Sequence, residues 1–291
     1  MNKFTPKKYL GQNFLINQKI IDNIIAAADI KKTDNILEVG PGKGALTFKL
    51  AAKAKKVVAV EKDRRLAEIL NSKLEILNSK QIKNQCSAVV PTGCTALSKL
   101  KIINEDILNM TVDALRSEFN DEKYKIVANL PYQITSFFLR KFLESDYAPS
   151  EMVIMVQKEV GERIVAKPAR LHQGSGGQGK MSLLAVAVQF YAAPVILFHV
   201  KRGNFSPAPK VDSVVLRLKD INQKKYGVEP DKFFALVKKG FRFKRKLLKN
   251  NLELPAAFLK NAGFREDVRA EQLFLEDWVK IYAMANARCV E

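Results

Sequence analysis

Along the first 220 or so residues, short apolar runs alternate with stretches of helical periodicity. Runs at 35–39, 57–61, 101–104, 125–128 and 152–156 are rich in Ile, Val and Ala, as expected of strands buried on both faces. Between them lie helical patterns. Ile20, Ile21, Ile24 and Ile25 share one face behind Asn17, a candidate N-cap, and 64–77, 135–143 and 181–190 read as further helices. Two more strands, 195–200 and 211–218, close the series. Strands alternating with helices predict an α/β domain with a mostly parallel sheet. From about Ile221 the pattern turns to helices only, with Pro255, Gly263 and Trp278 marking short ones. The expected organisation is a domain over 1–220 and a small helical one over 221–291. Two stretches break the rhythm. Residues 79–100, with a turn at Pro91-Thr92-Gly93, are long for a connection and read as a surface insertion. Residues 167–180 contain Gly174-Ser175-Gly176-Gly177-Gln178-Gly179, either a flexible linker or a loose loop.

The chemistry gathers at the strand ends. Asn35-Ile36-Leu37-Glu38-Val39 runs into Gly40-Pro41-Gly42-Lys43-Gly44, a turn whose glycines let the backbone approach a ligand closely. The spacing is G-x-G-x-G, not the dinucleotide fingerprint. The next strand ends in Glu61, where a carboxylate can accept both hydroxyls of a ribose. The third ends in Glu105-Asp106. Asp106 can receive the exocyclic amine of an adenine or cap a helix. The fourth ends in Asn129-Leu130-Pro131-Tyr132, where Pro131 cannot continue a central strand. An amide, free carbonyls and a ring together suit an amine on a flat ring: oxygens accept from NH2 and the Tyr132 face stacks. Asn-x-Pro is also ordinary turn chemistry. Glu38, inside a strand, needs donors to be buried and is expected to organise the glycine loop. Phe205 lies at the start of Phe205-Ser206-Pro207-Ala208-Pro209-Lys210, a stiff loop, and reads as a presented ring or a core anchor.

Charge adds the partner. The chain has 291 residues, 47% of them hydrophobic, with 49 basic against 30 acidic side chains, a net +19. A surplus that large points to a polyanion, nucleic acid first. Residues 238–249 hold seven basic side chains and no acid, interrupted by Phe241, Phe243, Leu247 and Leu248. A helix there could face a small core while Arg242, Lys244, Arg245, Lys246 and Lys249 meet phosphates, or present only a solvated face. No apolar run is long enough to span a membrane, and 1–21 lacks the pattern of a signal or transit peptide, so a cytoplasmic protein is expected. Cys86, Cys94 and Cys289, with His172 and His199, form no recognisable zinc or disulfide pattern.

Taken together, these motifs resemble the small-subunit ribosomal RNA adenine dimethyltransferases. The resemblance rests on Leu10-Gly11-Gln12-Asn13-Phe14-Leu15, Glu38 to Gly44, Glu61, Asp106, Asn129 to Tyr132, Phe205 to Ser213, Arg245 to Leu252 and Arg269-Ala270-Glu271, in that order. The insertion at 79–100 and the glycine-rich 167–180 depart from it. It implies a Rossmann-like class I methyltransferase sheet with an antiparallel closing strand, and a helical C-terminal domain that binds RNA. It further implies S-adenosyl-L-methionine as cofactor, with Asn13, Leu15, Gly40 and Gly42 lining its site, Glu61 on the ribose, Asp106 on the adenine amine and Asn129 touching both cofactor and target. Leu130, Pro131, Tyr132 and Phe205 would frame a flipped adenine, sandwiched by the two rings. The implied reaction is N6,N6-dimethylation of two adjacent adenosines near the 3′ end of small-subunit rRNA, within a pre-assembled small subunit, by a monomer that needs no metal. Three alternatives share parts of the pattern: a large-subunit rRNA methyltransferase, a non-catalytic assembly or transcription factor on this fold, and a DNA amine methyltransferase.

Overall fold

The computed structural model describes residues 5–7, 10–78, 97–168, 180–223 and 226–287. Most of the expected 79–100 insertion and glycine-rich 167–180 segment, together with Cys86, Cys94, His172 and Cys289, lies outside those residues. The chain divides into two compact units, 1–161 with 195–221, and 162–194 with 222–291.

The first unit is built on a sheet of seven strands in the order β4-β3-β2-β5-β6-β9-β7. These are β2 (Asn35–Val39), β3 (Lys56–Glu61), β4 (Leu100–Asn104), β5 (Tyr124–Asn129), β6 (Glu151–Gln157), β7 (Ala193–Val200) and β9 (Ser213–Lys219). The five strands read from apolar runs pair in parallel, and β9 runs antiparallel against β6, from Met152 opposite Leu218 to Gln157 opposite Ser213. The interiors of β2, β3, β5 and β6 are almost wholly buried, which is why they read as continuous apolar runs rather than alternating ones; β4, at the sheet edge, buries only Leu100. The chain order steps outward from β2 to β4, then returns to β5 on the other side of β2. Such a reversal leaves a crevice at the strands' carboxyl ends, between β2 and β5.

A short ribbon is not legible in the sequence: β1 (Phe14–Leu15) pairs antiparallel with β8 (Phe205–Ser206), Leu15 opposite Phe205. Helix α1 (Gln18–Ala27) begins as expected, with the Asn17 side chain accepting from the Lys19 and Ile20 N–H groups, and it buries Ile21, Ile24 and Ile25. Of the other helices, α3 (Arg64–Asn78) and α5 (Thr135–Leu143) follow β3 and β5 as read.

The second unit holds α7 (Leu183–Tyr191), α8 (Pro230–Gly240), α9 (Leu248–Leu252) and α11 (Leu275–Ala287). The boundary drawn at 220/221 therefore differs from the compact units in residues 162–194, which cluster with the helical part. The reason is that α7 is apolar nearly all round. Its Phe190 ring stacks on Phe233 (4.8 Å between centroids) and meets Phe234 edge-on (5.1 Å), so it is buried by α8. The basic run also needs correction, because 238–249 is not one helix. Helix α8 stops at Gly240, where a Cβ would come within 2.3 Å of the Trp278 ring, and 241–247 is a series of turns before α9. The Asn251 side chain closes that break, its Nδ2 donating to the Gly240 carbonyl (2.7 Å) and the Phe243 carbonyl (3.1 Å). Among the described residues no helix is long and apolar enough to cross a membrane.

Candidate active site

A cavity of about 300 Å³ opens at the reversal point of the first unit's sheet. Asn13, Leu15, Gly40, Gly42, Glu61, Asp106, Asn129, Leu130, Pro131 and Tyr132 all line it. Positions spread over roughly 120 residues of chain thus meet because each lies just past a strand end or in the arm before α1. The volume falls at the lower end of small-molecule sites.

The glycine turn supplies the floor. Gly42 has φ +60°, and a Cβ there would sit 3.0 Å from the Phe14 ring, so glycine is required both for its backbone and for that approach. Glu61 is tied to the turn: its Oε2 accepts from Gly42 N (3.0 Å) and its Oε1 from Asp63 N (2.8 Å). Burial raises the Glu61 carboxyl's pKa, and those two N–H groups oppose the shift. Glu38 differs. It is 1% exposed, and its Oε2 has no hydrogen-bond partner among the described groups, nor has the nearby Thr47 Oγ1. Burial pushes the Glu38 carboxyl up to about 8; the Thr47 hydroxyl beside it opposes the shift, and the charge of Glu61 adds a smaller push upward. Held in its neutral form by burial, this carboxyl presents the cavity wall with a hydrogen-bonding group rather than a charge.

Asp106 does two things at once. Its Oδ1 accepts from Leu108 N (3.0 Å), so it organises a turn, and its Oδ2 meets Lys62 Nζ (2.7 Å) at the cavity wall. It caps no helix, because the following helix, α4 (Val112–Phe119), takes Thr111 as its cap. Burial alone would raise its pKa, but Lys62, the Leu108 N–H and Lys141 together hold it below the usual carboxylate range. Lys141, which the sequence pattern does not single out, donates to the Leu108 (2.8 Å) and Met110 (2.5 Å) carbonyls and so holds that turn against α5.

On the opposite wall, Asn129 Nδ2 donates to the Asn13 carbonyl (3.3 Å), which leaves its Oδ1 as the group able to accept. Tyr132 lines that wall, and its hydroxyl lies 2.7 Å from Ser213 Oγ. Burial raises the Tyr132 pKa and the Ser213 hydrogen bond partly offsets it.

The arm before α1 is pinned across this floor by contacts that periodicity does not reveal. Gln12 Oε1 accepts from Lys7 N (2.7 Å) and its Nε2 donates to Asp63 Oδ2 (2.9 Å). Hydrogen bonds from Arg65 and Gln12, against burial, keep Asp63 at about 2. Only the polarity of Gln12 and Asp63, far apart in sequence, hints at their pairing.

Phe205 is the exception among the expected site residues. It is 4% exposed, packs into the core with Leu15, Val200 and Val215, and does not line the cavity. Its pairing with Leu15 across the β1–β8 ribbon turns the ring inward, so in this structure it is a core anchor and not one side of a base sandwich.

In the second unit, Arg242, Lys244, Arg245 and Lys246 are exposed on the 241–247 turns, while Lys249 is half-buried with Nζ 3.7 Å from Glu266. Phe243, 45% exposed, carries the Arg242 guanidinium at 5.2 Å and the Lys246 ammonium at 4.5 Å from its ring centre.

Residues 3–287 match the family model described as ribosomal RNA adenine dimethylase. A ribosomal RNA small subunit methyltransferase A of Dehalococcoides mccartyi (strain CBDB1) is 38% identical over 285 residues, covering 94% of this chain and 87% of the relative. Among solved structures, a dimethyladenosine transferase from Plasmodium falciparum superposes with a TM-score of 0.74 at 24% identity, covering 95% of this chain and 98% of that one. The 23S rRNA methyltransferase ErmE superposes with a TM-score of 0.67 at 23% identity, covering 94% and 100%. At those identities the two superpositions establish the shared fold.

Proposed function

Because this chain belongs to the ribosomal RNA adenine dimethylase family, we propose that its cavity is the site of S-adenosyl-L-methionine-dependent N6,N6-dimethylation of two adjacent adenosines near the 3′ end of small-subunit rRNA. The observation that carries this reading is the meeting, in one cavity, of the Gly40–Gly42 turn, Glu61 and Asp106 with the Asn129–Tyr132 strand end.

When bound, S-adenosyl-L-methionine supplies a methyl on a positively charged sulfur, already activated for transfer. The protein's part is positioning. Glu61, with one lone pair of each oxygen already committed to a backbone N–H, offers the others to ribose hydroxyls. Asp106 accepts the cofactor's adenine amine, sharing its carboxylate with Lys62.

The target adenine is a poor nucleophile because its N6 lone pair is delocalised into the ring. Asn129 Oδ1 and the Leu130 carbonyl accept its N–H hydrogens, which favours a pyramidal nitrogen with its lone pair directed at the methyl. The Tyr132 ring stacks on the extruded base. The proton released from N6 in each transfer passes to water, since an amide such as Asn129 does not take it up.

The 241–247 turns of the second unit supply phosphate contacts through Arg242, Lys244, Arg245 and Lys246, with Lys249 behind them. The substrate is rRNA within an assembled small subunit, met by a monomer in the cytoplasm. The net +19 supports a large polyanion as partner. The test is methyl transfer from labelled cofactor to small subunits that lack these methyl groups, with large subunits and DNA alongside, followed by mapping of the modified base. Label on N6,N6-dimethyladenosine in the small-subunit RNA is the expected result. Label confined to large-subunit RNA or DNA would replace this reading with one of its rivals.

A further inference from the structure

Tyr132 is held from behind. Tyr132 lines the cavity, and its hydroxyl meets Ser213 Oγ, 2.7 Å distant, a residue that does not line the cavity. Ser213 is 0% exposed and sits at the first position of β9, opposite Gln157 of β6. The residue before it is fixed as well: the Asp212 carbonyl accepts from Lys158 N (2.9 Å) and its carboxylate from Arg202 N (2.9 Å). The hydroxyl that meets Tyr132 therefore stands on firmly anchored backbone.

A ring that merely stacks does not need this. Stacking tolerates sliding and rotation, and it is indifferent to a para hydroxyl. Transfer to N6 does not tolerate them, because a displacement of about 1 Å at the reacting atoms can cost around a hundredfold in rate. The second transfer is the more demanding. After the first methyl is in place, N6 has a single N–H left, so Asn129 Oδ1 and the Leu130 carbonyl can no longer both be satisfied, and the base must be held more by the ring.

We propose that Ser213 is a positioning residue: by holding the Tyr132 hydroxyl it fixes the plane of the ring on which the target adenine rests, and so keeps N6 aimed through both successive methylations. This rests on the activity proposed above.

The experiment uses the full chain, small subunits lacking the methyl groups, and saturating labelled cofactor. Ser213→Ala, Tyr132→Phe and the double variant are compared with wild type for kcat, for the ratio of N6-methyl- to N6,N6-dimethyladenosine after digestion, for cofactor and subunit affinity, and for melting temperature. Each single variant should lower kcat by roughly fivefold and raise the monomethyl fraction, with both affinities within about twofold of wild type. The double variant should be no worse than the worse single one, because both remove the same bond. If Ser213→Ala melts below the assay temperature, Tyr132→Phe, which keeps the buried serine and the ring, carries the same expectation. Wild-type kcat and product ratio in the variants, losses that multiply in the double variant, or a loss of rate explained by weaker cofactor binding would each overturn the proposal. The wild-type control separates the two readings. If wild type transfers no methyl, the proposed function falls and takes this inference with it; if it is active and the variants match it, only this inference falls.

Discussion

Asn129 and Glu38 show opposite ways in which one side chain acts here. Asn129 has a committed nitrogen and an uncommitted oxygen, the arrangement expected of a group that acts on a ligand. If it orients the target amine, Asn129→Ala should lower kcat by about 2–4 kcal/mol of transition-state stabilisation at saturating cofactor. RNA affinity should hardly change, because it comes from many phosphate contacts. Steady-state kinetics beside a binding titration checks this, and wild-type turnover would reduce the strand end to a plain turn. Glu38 makes no hydrogen bond through Oε2, and its carboxyl ionises near 8 in the fold against 4.5 when unfolded. Between those values the folded chain keeps a proton that the unfolded chain has lost, so stability falls as pH rises through that window and levels off above it. Each pH unit in the window costs at most about 1.4 kcal/mol. Glu38→Gln removes this dependence. The melting temperature of the variant should therefore gain on wild type from pH 5 to 8 and then hold its lead; a gap independent of pH would show Glu38 ionised in the fold. At this scale much of the site is legible in the sequence, since Glu61, Asp106 and Asn129 each stand at the end of an apolar run. The protonation of Glu38 and the inward turn of Phe205 are not, because the first depends on complete burial by the surrounding fold and the second on pairing with Leu15, far away along the chain.

Elements are legible where burial is on both faces and obscure where it depends on a distant partner. Strands β2 to β6 announce themselves as apolar runs, and the antiparallel β9 reads with them. The two-residue ribbon of β1 and β8 is too short to carry any period. The basic stretch that reads as a helix stops after Gly240, a position that Trp278, nearly forty residues on, leaves with no room for a side chain. Once the helix stops, its last carbonyls need donors. From a buried position, Asn251 provides its amide to the last of them, at Gly240, and to the Phe243 carbonyl in the turns that follow. Asn251→Ala would remove the side-chain donor of the Gly240 carbonyl, while the Phe243 carbonyl keeps the Lys246 N–H, and should cost roughly 1–3 kcal/mol in urea denaturation of the full chain. It should also loosen the turns that carry Arg242 to Lys246, so RNA affinity should fall in a variant that is still folded. A variant with wild-type stability would mean that water satisfies the break equally well.

For the molecule as a whole the deciding quantity is charge. A net +19 spread over 291 residues says only that the partner is anionic. The structure adds a local claim, that four exposed cations occupy one series of turns, two of them lying over the face of an exposed Phe243. Cations held in place in this way lose less freedom on meeting a phosphate than solvated ones do, so they should contribute out of proportion to their number. The test is the salt dependence of binding. Neutralising a phosphate releases counterions, so log K falls with log salt at a slope set by how many phosphates are neutralised, and each phosphate left ungripped flattens that slope by about one. Reversing Arg245 and Lys246 together, as Arg245→Glu and Lys246→Glu, should weaken binding to small subunits and reduce the slope by about two or more. Cofactor affinity in calorimetry should stay as it was, since no residue of the 241–247 turns lines the cavity. The same two reversals made at Lys31 and Lys53, exposed lysines of the first unit, serve as the control for net charge alone. If both pairs weaken binding equally, the +19 acts as a diffuse field and the turns have no special part; if only the Arg245 and Lys246 pair does, the RNA is gripped there.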